Sequence, residues 1–241
     1  MSGEGESKNP LILFTITEWD VSLDTSIIIH LYGSSKEDLL FSHFESLYIH
    51  EYLYFSELSP NAPQRVIERF NRDVDNGRIK IVQDHHLKEI GFWTPFERSL
   101  SEWLDVFGLK DKGEANAAAL AKTLGIRFLA TDDEKEFGPH DILLRYPEEE
   151  VIPLTFYELL VFQCLKGNLH TNTLYNEFEA IIRSTFDEPE DFVGRMKRVY
   201  RRFWDDPTPR DHLFLQEFYR KYNCSDDRIK QIQLYLYSLG T

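Results

Sequence analysis

The sequence predicts an α/β fold with a mostly parallel sheet over residues 11–170. A loose tail over 1–10 precedes it and an α-helical extension over 171–241 follows it. Three observations carry this expectation. Strand-like and helix-like patterns alternate through the first two-thirds of the chain. After Thr171 the pattern is helical throughout. Acids fall just past the ends of two expected strands, where open α/β sheets gather ligand sites.

Leu11–Ile16 reads as a strand, and Val21–Leu23 as another that runs into Asp24. Residues 25–32, TSIIIHLY, fit either a buried strand or a helix started by an Asp, Thr or Ser cap. Ser42–Ser56 reads as a helix with Phe44, Leu47, Tyr48 and Phe55 on one face and Glu51 in line with them. Pro60 and Pro63 end it. Gln64–Val74 predicts a further helix stopped by Asn76-Gly77, and Arg78–Val82 alternates as a strand. Trp93, Phe96, Leu100, Trp103, Leu104 and Phe107 make residues 83–110 one amphipathic helix or two short ones. Glu114–Leu124 has Ala at five positions, a helix with a smooth face for close packing, and Gly125 ends it. Ile126–Ala130 predicts a strand with Thr131-Asp132-Asp133 just beyond. Val151–Leu154 predicts another strand, and Phe156–Leu165 a helix capped by Gly167. Leu174–Phe186, Glu190–Trp204, His212–Tyr222 and Asp226–Leu239 form the helical extension.

Composition narrows the classes. At 42% hydrophobic and 14% aromatic, the 241 residues can bury a core, which excludes disorder along the whole chain. Cys164 and Cys224 alone exclude a disulfide scaffold and a cysteine zinc site. No apolar run approaches the roughly 18 residues of a membrane span, and no basic-then-apolar leader begins the chain. A cytoplasmic protein without a membrane partner is the expectation. The net charge is −14, so broad electrostatic attraction to nucleic acid is not expected. The charge is uneven: residues 171–241 hold 12 acids and 11 bases, leaving 29 acids and 16 bases for residues 1–170.

Two acids fall where a carboxylate is costly. Glu51 interrupts an apolar stripe, and Glu114 lies in line with Ala117, Ala118 and Ala121. A carboxylate facing a core is paired, hydrogen-bonded, protonated or metal-bound. Plain structural roles exist for each acid: an Arg or Tyr partner for Glu51, helix-dipole stabilisation for Glu114, an N-cap for Asp24, and a turn for Asp132 and Asp133.

Taken together, the segments resemble the PIN domain, a family of metal-dependent nucleases. LDTSIIIHLY (Leu23 to Tyr32) is similar to the family's first strand and its Asp-Thr/Ser start. YIHEYLYFSEL (Tyr48 to Leu58) resembles the helix of the second acid. GEANAAALAKTLGIRFLATDDEKEF (Gly113 to Phe137) resembles the third-acid helix, a Gly, a strand and the Thr-x-Asp turn. IPLTFYELLVFQCLKG (Ile152 to Gly167) resembles the last strand and closing helix. The matches bracket residues 11–168 and imply a three-layer α/β/α domain.

The resemblance assigns catalysis to Asp24, Glu51, Glu114 and Asp133. It assigns metal ligation to Asp24, Glu114 and Asp133, with Asp132 as an adjacent alternative. Thr25, Ser26 and Thr131 resemble the hydroxyls that orient those acids. Mg²⁺ or Mn²⁺ is the implied cofactor, since hard divalent cations prefer oxygen ligands. The implied activity is hydrolysis of RNA, or less often DNA, and small bacterial members act as toxins or defence effectors restrained by an antitoxin. An antitoxin or regulatory protein and a second copy of this chain are therefore further partner expectations. Arg195, Arg198, Arg201 and Arg202, interleaved with Tyr200 and Phe203, form a candidate phosphate-gripping ridge. Ion pairs with nearby acids are the alternative for those arginines. The rival reading of the whole chain is a PIN-like binding or scaffold module with little or no nuclease activity.

Overall fold

A computed structural model describes residues 16–108, 111–146, 149–185 and 191–239. The expected tail over 1–10, and the expected strand Leu11–Ile16 up to its last residue, lie outside the described residues. In chain order the elements are β1 (Val21–Leu23), α1 (Thr25–Gly33), α2 (Asp38–His43) and β2 (Leu47–His50). A π-helical stretch (Leu53–Leu58), α3 (Ser59–Asn61), α4 (Gln64–Asp75) and β3 (Ile79–Val82) follow. Next come α5 (Asp84–Glu89), α6 (Trp93–Phe107), α7 (Lys112–Leu124), β4 (Phe128–Ala130), α8 (Pro139–Arg145) and β5 (Ile152–Leu154). The chain continues through α9 (Phe156–Lys166), α10 (Thr171–Thr185), α11 (Phe192–Tyr200), a second π-helical turn (Arg201–Asp205), α12 (Pro209–Lys221) and α13 (Asp226–Ser238).

The five strands form one all-parallel sheet in the order β3-β2-β1-β4-β5. Helices cover both faces. α7 packs on β1, β2 and β4 and against α6 and α8, while α1 packs against α4 and α10, and α9 against α2 and α10. The result is a three-layer α/β/α fold with a helical extension. Parallel strands need both faces covered, which accounts for the fully buried β1, β2, β4 and β5. Pro153 is tolerated in β5 because β5 is an edge strand.

Local chemistry sets the element ends. Asp24 is the N-cap of α1, with its side chain accepting from the Thr25 amide, so the TSIIIHLY block is a helix and not a strand. The alanine face of α7 lets the helix lie close enough to β1 for Ser22 Oγ to donate to the Ala117 carbonyl at 2.9 Å. Gly125 ends α7 at φ 70°, a left-handed conformation that favours glycine. Thr155 and Glu158 form a capping box at the start of α9.

The expected helix Ser42–Ser56 is corrected. α2 ends at His43, and Leu47–His50 is the strand β2. Phe55, the last member of the supposed stripe, is 57% exposed. Residues 83–110 resolve into α5 and α6. The extension helices do not stand apart: Leu174, Phe178, Phe203, Phe214 and Phe218 belong to the same hydrophobic core as Val21, Phe128 and Phe162. Among the described residues no helix is long and apolar enough to cross a membrane.

Candidate metal centre

The strand order reverses direction between β1 and β4, and such a switch point opens a crevice outside the strands' carboxyl ends. β1 and β4 pair as Val21–Phe128, Ser22–Leu129 and Leu23–Ala130, so the next residues on each strand, Asp24 and Thr131, meet at that edge. The Asp24 amide donates to the Ala130 carbonyl at 3.0 Å and fixes the register. The Asp24 carboxylate is buried and held from three sides. It accepts from the Thr25 amide at 2.7 Å, from Ser26 Oγ at 2.6 Å and from Thr131 Oγ1 at 2.9 Å. Burial raises its pKa, these three donors pull it back, and the charge of Asp133 pushes it up again. Ser26 and Thr131 hold Asp24 through their hydroxyls and Thr25 holds it through its amide, while the Thr25 hydroxyl lies 3.5 Å from Asp24 Oδ1.

The second acid is Glu57, which the sequence reading did not single out. Glu57 Oε2 accepts from Thr25 Oγ1 at 3.3 Å, and the Gly113 amide also donates to this carboxylate. Burial and the neighbouring Asp24 raise the Glu57 pKa. A Cβ on Gly113 would overlap the Glu57 carboxylate, so the missing side chain is what admits the acid here. Glu51, expected in this role, sits elsewhere. It follows β2, which pairs with β3, and its Oε1 accepts from the Asp84 amide at 2.9 Å at the start of α5. Glu51 caps a helix. The signal that could have found Glu57 is its place six residues further along the same segment, on a π-helical turn that alters the usual count of which side chains share a face.

Glu114 and Asp133 complete the cluster around the ammonium of Lys135. Lys135 Nζ lies 2.6 Å from Glu114 Oε1, 3.0 Å from Asp133 Oδ2 and 3.1 Å from Asp111 Oδ1. Glu114 is 8% exposed, and its Oε2 has no hydrogen-bond partner. Burial and the adjacent Asp133 push its pKa up to about 9, even with Lys135 beside it. For Asp133, burial acts upward but hydrogen bonds with Glu114 and Lys135 outweigh it, and its pKa is lowered. The Asp133 amide donates to Thr131 Oγ1 at 3.1 Å, which links this half of the cluster to Asp24.

Asp132 is turned to a different purpose. Its Oδ2 lies 2.7 Å from His30 Nδ1, its Oδ1 accepts from the Phe156 amide at 2.8 Å, and its own amide donates to Ser26 Oγ. Its oxygens hold α1 and α9 to the turn, whereas Asp133 is the acid of the pair that bonds Lys135 and lies against Glu114.

The four arginines separate as well. Arg195 and Arg198 line a cavity of about 300 Å³ together with Asp133, Lys135 and Tyr157. Both pair with Glu134, which Tyr157 also reaches through its hydroxyl. Arg198 also borders a neighbouring cavity of about 720 Å³ with Arg145 and Arg201. Arg202 is corrected: it is buried, donating to both Asp211 oxygens at 2.9 and 3.1 Å, and to Glu158 Oε1 and the Pro153 carbonyl at 2.8 Å each. The helix opens into the π-helical turn at Arg201, and Arg202 points to the core as an ion-pair clamp and not to a substrate.

The donor chemistry fits a hard divalent cation. Asp24, Glu57, Glu114 and Asp133 offer only carboxylate oxygen, repel one another, and include one buried oxygen without a partner. As the side chains stand, no three His, Cys, Asp or Glu among the described residues are drawn into a set that could hold a metal ion. The Lys135 ammonium stands among the acids instead. Comparison with family models, curated proteins and solved structures found no match to this chain.

Proposed function

We propose that the chain is a Mg²⁺- or Mn²⁺-dependent nuclease acting on RNA. One observation carries the reading: acids from separate segments lie as pairwise electrostatic neighbours, Asp24 with Glu57 and Asp133, and Asp133 with Glu114, at the switch point of a parallel sheet. Three donors fix one of them, Asp24, in orientation before any ligand arrives. Asp24 and Glu57 are the residues that would hold the ion, with Glu114 and Asp133, both paired with Lys135, beside them. When bound, such an ion supplies an activated water and stabilises the leaving oxygen of a phosphodiester. The chain's own residues do the rest. Ser26 and Thr131 both hold Asp24 Oδ2, and the Thr25 amide holds Oδ1, which fixes the carboxylate at the strand ends. Arg195 and Arg198 line a cavity with Asp133 and share Glu134 as an ion-pair partner, and they supply positive charge near the acids for a phosphate backbone that the net charge of −14 would otherwise repel.

The test is incubation of structured and single-stranded RNA with Mn²⁺, Mg²⁺ or EDTA. Cleavage with either ion, lost in EDTA and lost in Asp24→Asn and Glu57→Gln, is expected. Glu51→Gln is expected to cleave at the wild-type rate. Cleavage by Asp24→Asn at full rate would overturn the reading. The second reading, a binding module with little or no cleavage, is favoured by Lys135, whose ammonium already pairs with two of the four acids, Glu114 and Asp133, and with Asp111 beside them. RNA binding without cleavage under every ion condition would select it.

A further inference from the structure

We infer that Lys135 is a resident cation of this centre, holding the Glu114–Asp133–Asp111 half against a divalent ion and leaving the Asp24–Glu57 half as a site for one exchangeable ion. The inference rests on the metal-dependent reading above and adds to it a count of ions and the residue that sets the count.

The acidic pocket has two halves with different partners. On one side, Lys135 Nζ bonds Glu114, Asp133 and Asp111 at 2.6 to 3.1 Å, near the separations of charge-assisted hydrogen bonds. Three donors on an ammonium meet three carboxylates, which uses its full capacity. On the other side, Asp24 and Glu57 meet only amide and hydroxyl donors, and no cation pairs with either among the described residues. Each carboxylate oxygen has two acceptor sites, and Ser26 and Thr131 fill both on Asp24 Oδ2, so the capacity left for an ion lies on Asp24 Oδ1 and on Glu57. Thr25 Oγ1 lies within 3.3 Å of Glu57 Oε2 and 3.5 Å of Asp24 Oδ1, so the two acids flank one hydroxyl.

The lysine's position is built into the turn. Its own amide donates to Asp133 Oδ1 at 3.1 Å, so the residue that carries the ammonium is tied to one of the acids it neutralises. Its side chain remains about half exposed, which lets the stem be altered without opening the core. An independent feature points to a cation in this half: Glu114 is more than nine-tenths buried, and its Oε2 has no partner while Oε1 holds Lys135. With the ammonium gone, that half keeps three carboxyl groups and no cation among them, an all-oxygen donor set suited to a hard dication.

The test is a Mn²⁺ titration of wild type and Lys135→Met by calorimetry, after EDTA treatment and dialysis. Methionine keeps the length of the stem and removes the charge. The variant is expected to bind one Mn²⁺ more per chain than the wild type. It is also expected to melt lower than wild type in EDTA and to recover more on adding Mn²⁺, because the ion replaces the lost ammonium. Equal ion counts would overturn the role of Lys135 and leave the metal-dependent reading standing. No Mn²⁺ bound by either protein would overturn both. Lys135→Gln, neutral and still polar, gives the same readout if the methionine variant does not fold.

Discussion

Glu114 sets the sign of the site's response to pH. Its carboxyl is pushed from an ordinary 4.5 up to about 9 by burial and by Asp133. Across that window the folded chain holds a proton that the unfolded chain has released. The stability this group contributes is full below the unfolded value and is lost as pH rises through the window. Glu114→Gln keeps the shape and cannot ionise. In EDTA, its melting temperature is expected to fall less than that of the wild type between about pH 5 and 9, with the variant the more stable at the upper end. Parallel melting curves across that range would sink the assignment. Gly113 makes a separate test at the same scale. A methyl there overlaps the carboxylate of Glu57, the far end of a flexible side chain, and not backbone. Gly113→Ala is expected to change the melting temperature little, since the acid swings away and α7 gains a better helix former. The displaced Glu57 is expected to weaken Mn²⁺ binding, read by calorimetry. Unchanged affinity would mean that Glu57 is not a ligand.

At the scale of elements, the parts that could be read from sequence are those where local chemistry and tertiary position agree. Val21–Leu23 running into Asp24, and the alanine helix ending at Gly125 before Phe128–Ala130, carry short-range signals that survive folding. These give Asp24, Glu114 and Thr131 their places at the sheet edge, and the hydroxyls beside them. Glu57 was hidden for a physical reason. LYIH is a fully buried strand, so it lacks the in–out alternation that marks half-buried strands, and Phe44, Leu47 and Tyr48 mimic a helical stripe. The π-helical turn then breaks the three- and four-residue count that any helix reading depends on. The same failure recurs at Arg202, where α-helical spacing from Arg195 predicts a shared exposed face and the π-helical turn delivers a buried clamp. That clamp joins β5, α9 and α12 through Pro153, Glu158 and Asp211. Arg202→Ala removes the nearest cation from two buried carboxylates, leaving Glu158 with His140 and Asp211 with the more distant Arg210, and is expected to cost about 3 kcal/mol in urea unfolding. The pairing also has an acid limit. Burial pushes Glu158 up, but Arg202 and His140 override it and bring its pKa down to about 2. Its contribution is present above the unfolded value of 4.5 and is lost as pH falls toward about 2.

At the scale of the whole molecule, the question is whether residues 171–241 serve the sheet domain or complete it. The aromatic core answers by adjacency. Phe214 stacks edge-on to Phe128 of β4 at 5.4 Å and to Phe162 of α9 at 5.4 Å, while Phe218 lies 5.0 Å from Phe162. Phe178 lies 5.4 Å from Phe156, and Phe203 lies 5.2 Å from Phe162. Deleting 171–241 removes these four buried phenylalanines and bares the faces they cover. Each buried aromatic or large aliphatic side chain contributes about 1.5–3 kcal/mol, and Leu174, Ile181, Ile182, Met196, Val199, Leu215, Ile232 and Leu236 would be lost with them. Their loss leaves the apolar faces of Phe128, Phe156 and Phe162 open to water. A chain ending at residue 170 is therefore expected to be insoluble or unfolded by circular dichroism, and not a trimmed nuclease with weaker RNA affinity. A soluble, cooperatively melting truncation would show that the sheet and its covering helices suffice without the extension. Whether the extension also binds RNA is read from point changes that spare the core. Arg198 and Arg201 border open cavities, so Arg198→Glu with Arg201→Glu is expected to weaken RNA binding in a salt-dependent manner while the melting temperature stays near that of wild type. RNA affinity unchanged at low salt would confine the extension to its structural role.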